Sequence, residues 1–335
     1  MAKVMIIGAG GQIGHDLVPR LFKAGHRLTL VDRRSADGSH IQATLDRLYG
    51  ADGWGDIWKI LDATDMEAMG ALLRETRPDV VYHLAALLSA TCEADPEACW
   101  QVNMDSLKNV LDVLDEMAQD GFRPRLIWPS SIAAFGPPPD GLGKPYTAEN
   151  EYPLVPRTMY GVTKVACELL GAYYANKKGV DFRSVRFPGL LNTAPPGGGS
   201  SDYANAMYFG AARGEQEVVS FVGPDAKIPF MYMEDAVRAM AILAAADESG
   251  LTRRTYNIRA FPAPTASEIA ASIARAVPGF KVRYEPDQRE RNVLSWPQDF
   301  DDEPARRDWG WAAKIDDLDK MTHQLLEDFR QLSEP

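Results

Sequence analysis

The feature that most constrains this chain is an alternation. Short apolar, β-branched runs alternate with segments of helical periodicity as far as Phe187. Residues 3–8, 27–31, 57–61, 79–84, 125–129 and 181–187 read as strands. Residues 11–24, 66–76, 96–118 and 158–178 read as helices. Strands separated by helices predict a parallel sheet covered on both faces, a doubly wound α/β fold. Such sheets bind ligands beyond the carboxyl ends of their strands. After Phe187 the pattern changes. Residues 188–199 are rich in proline and glycine and read as a loop. The later elements are shorter: helices near 203–213, 234–246, 266–276 and 317–332, strands near 218–222, 255–258 and 281–284. This predicts a smaller α/β lobe threaded around the end of the sheet. The larger unit is expected to span 1–190 and about 215–260, the smaller about 191–214 and 261–335. Residues 35–58 carry no assignable pattern.

Composition narrows the classes. The chain has 335 residues, 45% hydrophobic and 25% charged, as expected of a soluble globular protein. No apolar run approaches the ~20 residues that cross a bilayer. Met1-Ala2-Lys3 leads directly into the first predicted strand, so neither a secretory signal nor an organellar presequence is expected. The net charge of −11 argues against a nucleic-acid binder, which needs clustered Lys and Arg. Cys92, Cys99 and Cys167 are odd in number and lack CxxC spacing, so neither a disulfide framework nor a zinc site is expected. Three thiols suit a reducing cytoplasm. His15, His26, His40, His83 and His323 never fall within four residues of one another, so no metal site is expected.

Between the first strand and first helix, "IIGAGGQIGHDL" places Gly8, Gly11 and Gly14 at GxxGxxG spacing. Gly8 would allow a tight turn, Gly11 a close backbone approach to a pyrophosphate, and Gly14 close helix–strand packing. Amides near Gln12 and Ile13 would donate to phosphate at the positive end of the helix. Asp32 ends the second strand, where a carboxylate accepts hydrogen bonds from the adenosine ribose and repels the extra phosphate of NADP. NAD is therefore expected, although Arg33 and Arg34 stand beside it. Asp62, after the third strand, would meet the adenine edge. Ala85 and Ala86, after the fourth, would let the cofactor lie against backbone.

"TMYGVTKVACELL" puts Tyr160 and Lys164 four apart on one helix face. Tyrosine is a poor base at its free pKa of about 10. A neighbouring ammonium favours the phenolate, making Tyr160 a candidate base for an alcohol proton. "PSSIAAFG" places Ser130 and Ser131 just past a strand end, where a hydroxyl bonds a reacting oxygen.

Together these motifs resemble the extended branch of the short-chain dehydrogenase/reductase superfamily. The resemblance implies a seven-stranded Rossmann sheet, a small C-terminal substrate lobe and a homodimer through the helices at 96–118 and 158–178. It makes Ser131, five before Gly136, the catalytic serine beside Tyr160 and Lys164. It gives Lys164 a second role on the nicotinamide ribose and sets Pro188 and Leu190 of "RFPGLL" against the nicotinamide. Ala63, Leu84 and Asn103 complete the expected cofactor set. Ile7 stands where the branch often has threonine.

Within that branch, seven stretches are similar to the short-chain-type L-threonine 3-dehydrogenase family, in collinear order. They include "HLAALLSA", "PSSIAAFGP", "TMYGVTK", "PGGGSSDYA", "PFMYMEDAVRA" and "SWPQDFDDEPARRDWGW". Serines at 200 and 201 replace the family's usual threonines and keep the hydroxyls. The resemblance implies NAD-dependent oxidation of the L-threonine C3 alcohol to 2-amino-3-oxobutyrate, a step of threonine catabolism. Ser89, Gly198 and Ser200 would hold the amino-acid end, with Ser200 or Ser201 capping the helix that starts near Asp202. Ser89 alternatively caps its own turn, and Trp296 either closes over the substrate or packs the lobe. A sugar-nucleotide epimerase or dehydratase, or a dehydrogenase of another β-hydroxy acid, shares the fold. The sugar-nucleotide alternative would use Arg283, Arg289 and Arg291 on a diphosphate. A non-enzymatic NAD-dependent regulator is disfavoured by the intact Ser131, Tyr160 and Lys164.

Overall fold

The computed structural model describes residues 1–39 and 41–333, so His40 lies outside the described residues. The first half runs β1 (Lys3–Ile7), α1 (Gln12–Lys23), β2 (Arg27–Asp32), α2 (Gln42–Tyr49), β3 (Trp58–Ile60), α3 (Met66–Thr76) and β4 (Val80–His83). It continues through α4 (Ser89–Ala94), α5 (Pro96–Trp100), α6 (Ser106–Gln119), β5 (Arg125–Ser131), β6 (Thr147–Ala148), α7 (Met159–Tyr173) and β7 (Asp181–Phe187). Then follow β8 (Gly189–Leu191), α8 (Asp202–Ala212), β9 (Glu217–Ser220), β10 (Phe230–Tyr232), α9 (Met233–Ala245) and β11 (Thr255–Asn257). The chain ends with α10 (Ala266–Ala276), β12 (Lys281–Tyr284), α11 (Glu290–Val293), β13 (Asp299–Phe300), α12 (Glu303–Trp309) and α13 (Leu318–Ser333).

Seven parallel strands form the central sheet in the order β11-β7-β5-β4-β1-β2-β3. Side chains alternate between its faces, as a period of two requires. Val4 and Ile6 enter the core beneath α1, while Met5 and Ile7 enter the core beneath α3 and α6. The strand order reverses between β1 and β4, and the loops leaving these two strands touch. A Cβ added to Gly8 would lie 2.6 Å from the amide nitrogen of Ala85. Gly8 also has a φ of +86°, so glycine is required there twice over. The smaller lobe stacks α8, α10 and α13, joined by buried hydroxyls: Tyr208 to Thr322 at 2.8 Å and Ser272 to Thr322 at 2.7 Å.

Four departures from the sequence reading have local causes. The unassigned stretch contains α2, which has neither a side-chain cap nor an acidic first turn to announce it. Its surroundings are fixed by tryptophans, with Trp54 Nε1 donating to Asp46 at 2.7 Å and Trp58 Nε1 to the Arg34 carbonyl at 3.1 Å. The helix expected at 96–118 is interrupted by a π-helical turn at Gln101–Asp105, and α4 precedes it. Asp95-Pro96 folds α4 back onto α5, bringing the Cα atoms of Cys92 and Cys99 to 4.8 Å, and these two residues form a disulfide. The expectation of three free thiols is thereby corrected; Cys167 is the free cysteine, and it is buried. β9 pairs with β12, apart from the central sheet, so we assign 217–220 to the smaller lobe. No helix among the described residues is long and apolar enough to cross a membrane.

α7 lies against β7 with no side chain of its own at the contact. A Cβ on Gly171 would stand 2.3 Å from the ring of Phe182, which is fully buried. Gly171→Val is expected to cost about 1–3 kcal/mol through overpacking, read as a lowered thermal midpoint.

Candidate active site

The cleft above the carboxyl ends of the strands divides into two adjoining cavities. The first, of about 430 Å³, is lined by Asp32, Arg33, Asp62, Ala63, Leu84, Ala85 and Ala86, with Gly8 and Gly11 at its floor. The residues here fit the adenosine half of a dinucleotide. Asp32 is nearly buried, and its carboxylate accepts from the amides of Gly10 at 3.0 Å and Arg34 at 3.1 Å. A Cβ on Gly14 would lie 2.3 Å from the Ala9 carbonyl, so the helix presses on the glycine turn as the motif demands. The amide and hydroxyl of Thr64 donate to Asp62 and hold its carboxyl below the usual range.

The second cavity, of about 340 Å³, begins at Gly11–Gly14 and runs to the smaller lobe. Gln12, Ile13, Leu84, Ala86, Ser89, Ser131, Tyr160, Lys164, Pro188, Leu190, Ser200 and Trp296 all line it. Residues far apart in sequence thus meet here. Ser131 begins the short turn Ile132–Ala134, and its Oγ accepts from the Ala133 amide at 3.2 Å. With a lone pair engaged, its hydroxyl proton remains to donate into the cavity. Tyr160 stands in the first turn of α7, where the Thr158 side chain accepts from the Gly161 amide at 3.0 Å. Lys164 is buried; its Nζ donates to the Pro129 carbonyl at 2.7 Å and lies 5.3 Å from the centre of the Tyr160 ring.

Two expected contacts fall elsewhere. Asn103 lines neither cavity. Both ends of its amide are spent on Leu87, whose N–H it accepts at 2.7 Å and whose carbonyl it bonds at 3.2 Å, so it holds the loop after β4 instead. Gly198 is likewise absent from both walls. The expected serine cap on α8 is also corrected. Ser201 occupies the cap position with helical backbone and no side-chain bond. Asp202, the first residue of α8, gathers the preceding loop instead: its Oδ2 accepts from the amides of Gly197, Gly198 and Gly199, each at 2.8 Å. A run of three glycines lets those amides converge on one anion. Ser89 opens α4 without capping it; Leu88 is the cap residue, with no side-chain bond. Ser200 accepts from Asn292 at 3.2 Å, tying the glycine loop to the segment that carries Trp296. Sequence reasoning missed Asp202 and Met233 as wall residues. The aspartate read as an ordinary first-turn residue, because only folding shows which amides converge on it.

Of the three arginines that a diphosphate site would need, Arg283 and Arg289 are engaged elsewhere. Arg283 bonds Glu217 and Glu285, Arg289 forks onto Asp287 over the ring of Phe221, and neither these nor Arg291 lines the cavity. Lys164 and Asp202 are the charged residues in its wall.

This sheet, its glycine turn and the serine, tyrosine and lysine at one end of it define an NAD-dependent oxidoreductase. The chain belongs to the NAD dependent epimerase/dehydratase family, whose model matches residues 4–258. It is 38% identical over 333 residues to an uncharacterized epimerase/dehydratase of Staphylococcus saprophyticus, covering 98% of this chain and 97% of that one. Among solved structures it is similar to the L-threonine dehydrogenase of Clostridium difficile, with a TM-score of 0.88, 35% identity and coverage of 99% and 98%. It is also similar to the holo form of the GalE-like L-threonine dehydrogenase of Cupriavidus necator, with a TM-score of 0.86, 37% identity and coverage of 97% and 99%.

Gly161 sets the distance between Tyr160 and the Ser131 turn, since a Cβ there would lie 2.2 Å from the Ala133 carbonyl. Gly161→Ala is expected to displace the helix start and lower kcat about 100-fold, with a modest change in thermal midpoint. An unchanged kcat would show that this approach does not set the catalytic geometry.

Proposed function

We propose that the protein oxidises the C3 alcohol of L-threonine with NAD, yielding 2-amino-3-oxobutyrate and NADH. The observation that carries this reading is the charge of the second cavity: one lysine beside the tyrosine, one aspartate at the far end, and no arginine. A zwitterionic amino acid suits that wall, while a nucleoside diphosphate sugar would bring two phosphates to a wall whose one cation, Lys164, stands beside the tyrosine. The similarity to L-threonine dehydrogenases over nearly the whole chain supports it.

Bound NAD supplies the hydride acceptor. Tyr160, with the Lys164 ammonium beside it, takes the hydroxyl proton as the C3 hydride departs. Ser131 donates to the same oxygen and steadies it while the carbonyl forms. We assign the substrate carboxylate to the hydroxyls of Ser89 and Ser200, its ammonium to Asp202, and the closing wall to Trp296.

L-Threonine should generate NADH, and Tyr160→Phe should lower kcat by about 10²–10⁴-fold. Ser200→Ala should raise the KM for threonine and leave that for NAD nearly unchanged. Turnover of a UDP-sugar without NADH formation from threonine would replace this reading with the epimerase one.

We further propose a homodimer through α7. Val162, Leu169 and Tyr173 form an apolar stripe on it, 41%, 66% and 52% exposed, near the half-exposed Trp100 of α5. Sedimentation should give twice the chain mass, and Leu169→Glu should give the monomer. A wild-type monomer would remove the proposal.

A further inference from the structure

Tyr160 and Lys164 are followed, four residues on, by a third polar residue of the same helix face, Glu168. It is buried, and the reaction scheme gives it no part. Its surroundings form a register. Three consecutive residues of β5 meet three successive turns of α7: Ser131 stands with Tyr160 in the cavity wall, the Pro129 carbonyl accepts from Lys164, and the Ser130 hydroxyl donates to Glu168. Behind Glu168 stands Arg186 of β7, the sheet partner of Ser130. Its Nε and Nη2 fork onto the carboxylate at 2.9 and 2.7 Å. The same guanidinium donates to the Asn150 carbonyl at 2.8 Å and to Asn257 at 3.1 Å. One ion pair therefore ties α7 to β5, β7 and β11.

We propose that Glu168, neutralised by Arg186, is the positioning residue of the catalytic pair: it fixes the register of α7 on β5 and leaves Lys164 the one unbalanced charge beside Tyr160. This rests on Tyr160 acting as the base.

The other groups facing this point leave that balance intact. His83, enclosed at the end of β4, is held neutral by burial, which pulls its pKa down to about 4. Burial pushes the Cys167 thiol up to about 12, so it stays protonated. Arg253 and Arg254, beyond Arg186, pair with Glu151 at 2.7 Å and Glu248 at 3.0 Å. Asp202, at the far end of the cavity, is bound to three amides.

Charge-changing variants give opposite signs. Glu168→Gln leaves Arg186 unbalanced, which favours the phenolate and moves the acidic limb of the kcat/KM profile to lower pH. Arg186→Gln leaves Glu168 unbalanced, which disfavours the phenolate and moves the limb to higher pH. Each shift should be about half a pH unit or more. The double variant should return toward wild type. Ultraviolet tyrosinate titration, with Tyr160→Phe subtracted, should follow the same order without any substrate, so a wrong substrate assignment does not disturb it. Where Arg186→Gln does not fold, Arg186→Lys replaces it and should hold the limb in place while lowering kcat. Ser130→Ala keeps the ion pair and should lower kcat about tenfold with the KM for NAD unchanged. Folded variants with unmoved limbs, or an unaltered kcat in Ser130→Ala, would overturn the proposal. Full activity in Tyr160→Phe would instead remove the base assignment on which it rests.

Discussion

The structure depends on how closely one helix approaches one strand end. α7 can pack this close because it carries glycine at two contacts, Gly161 against the Ala133 carbonyl just past β5 and Gly171 against Phe182 of β7. Hydrogen bonds then hold what sterics permit. Lys164 reaches the Pro129 carbonyl and Glu168 reaches Ser130, while Thr158 caps the helix start. Tyr160 is carried into the cavity wall as a consequence of those contacts. The base expected for the reaction is thus located by backbone approach, a more rigid determinant than a side-chain rotamer.

Electrostatics follow from the same arrangement. The chain carries a net charge of −11, yet the interior near Tyr160 is arranged so that one cation stands out. Buried charges are costly unless paired, and the pairs here are bidentate: Arg186 on Glu168, and Arg183 on Asp181 at 2.8 Å on both arms. The remaining cation, Lys164, is satisfied by a carbonyl and the face of Trp128, neither of which cancels its charge. Arg283 and Arg289 of the smaller lobe are spent on carboxylates at its surface. Its contribution to the cavity is a tryptophan, serines and the end of a helix.

Much of the fold was legible because its signals are local. The glycine turn, Met66–Thr76, Asp181–Phe187, Ala266–Ala276 and Lys281–Tyr284 all stand where periodicity set them. Where the signal is tertiary, sequence was silent. α2 is held by the indole of Trp54, which reaches Asp46 eight positions back, and the segment before it by Trp58, which reaches Arg34 twenty-four positions back. The two-residue strands β6 and β13 exist only because they find each other. At the site, motif spacing singled out Ser131, Tyr160 and Lys164, and the structure brings the three into one cavity wall. Asn103, expected against the cofactor, is found pinning the loop after β4, and an amide that pins a loop and one that touches a ligand look alike in sequence. The cysteines misled for a similar reason: parity and spacing say nothing of a chain reversal at Asp95-Pro96 that sets two of them side by side.

The glycine loop at 197–199 has a consequence of its own. Three converging amides concentrate positive potential at a largely exposed loop, and the Asp202 carboxylate sits among them. A free carboxylate arriving there meets an occupant held by only a few bonds of backbone. For so short a tether the effective concentration is on the order of millimolar or above. The loop therefore acts as a threshold. Dilute small anions do not displace the resident carboxylate, and a ligand gains those amides only if its other contacts in the cleft have already drawn it in.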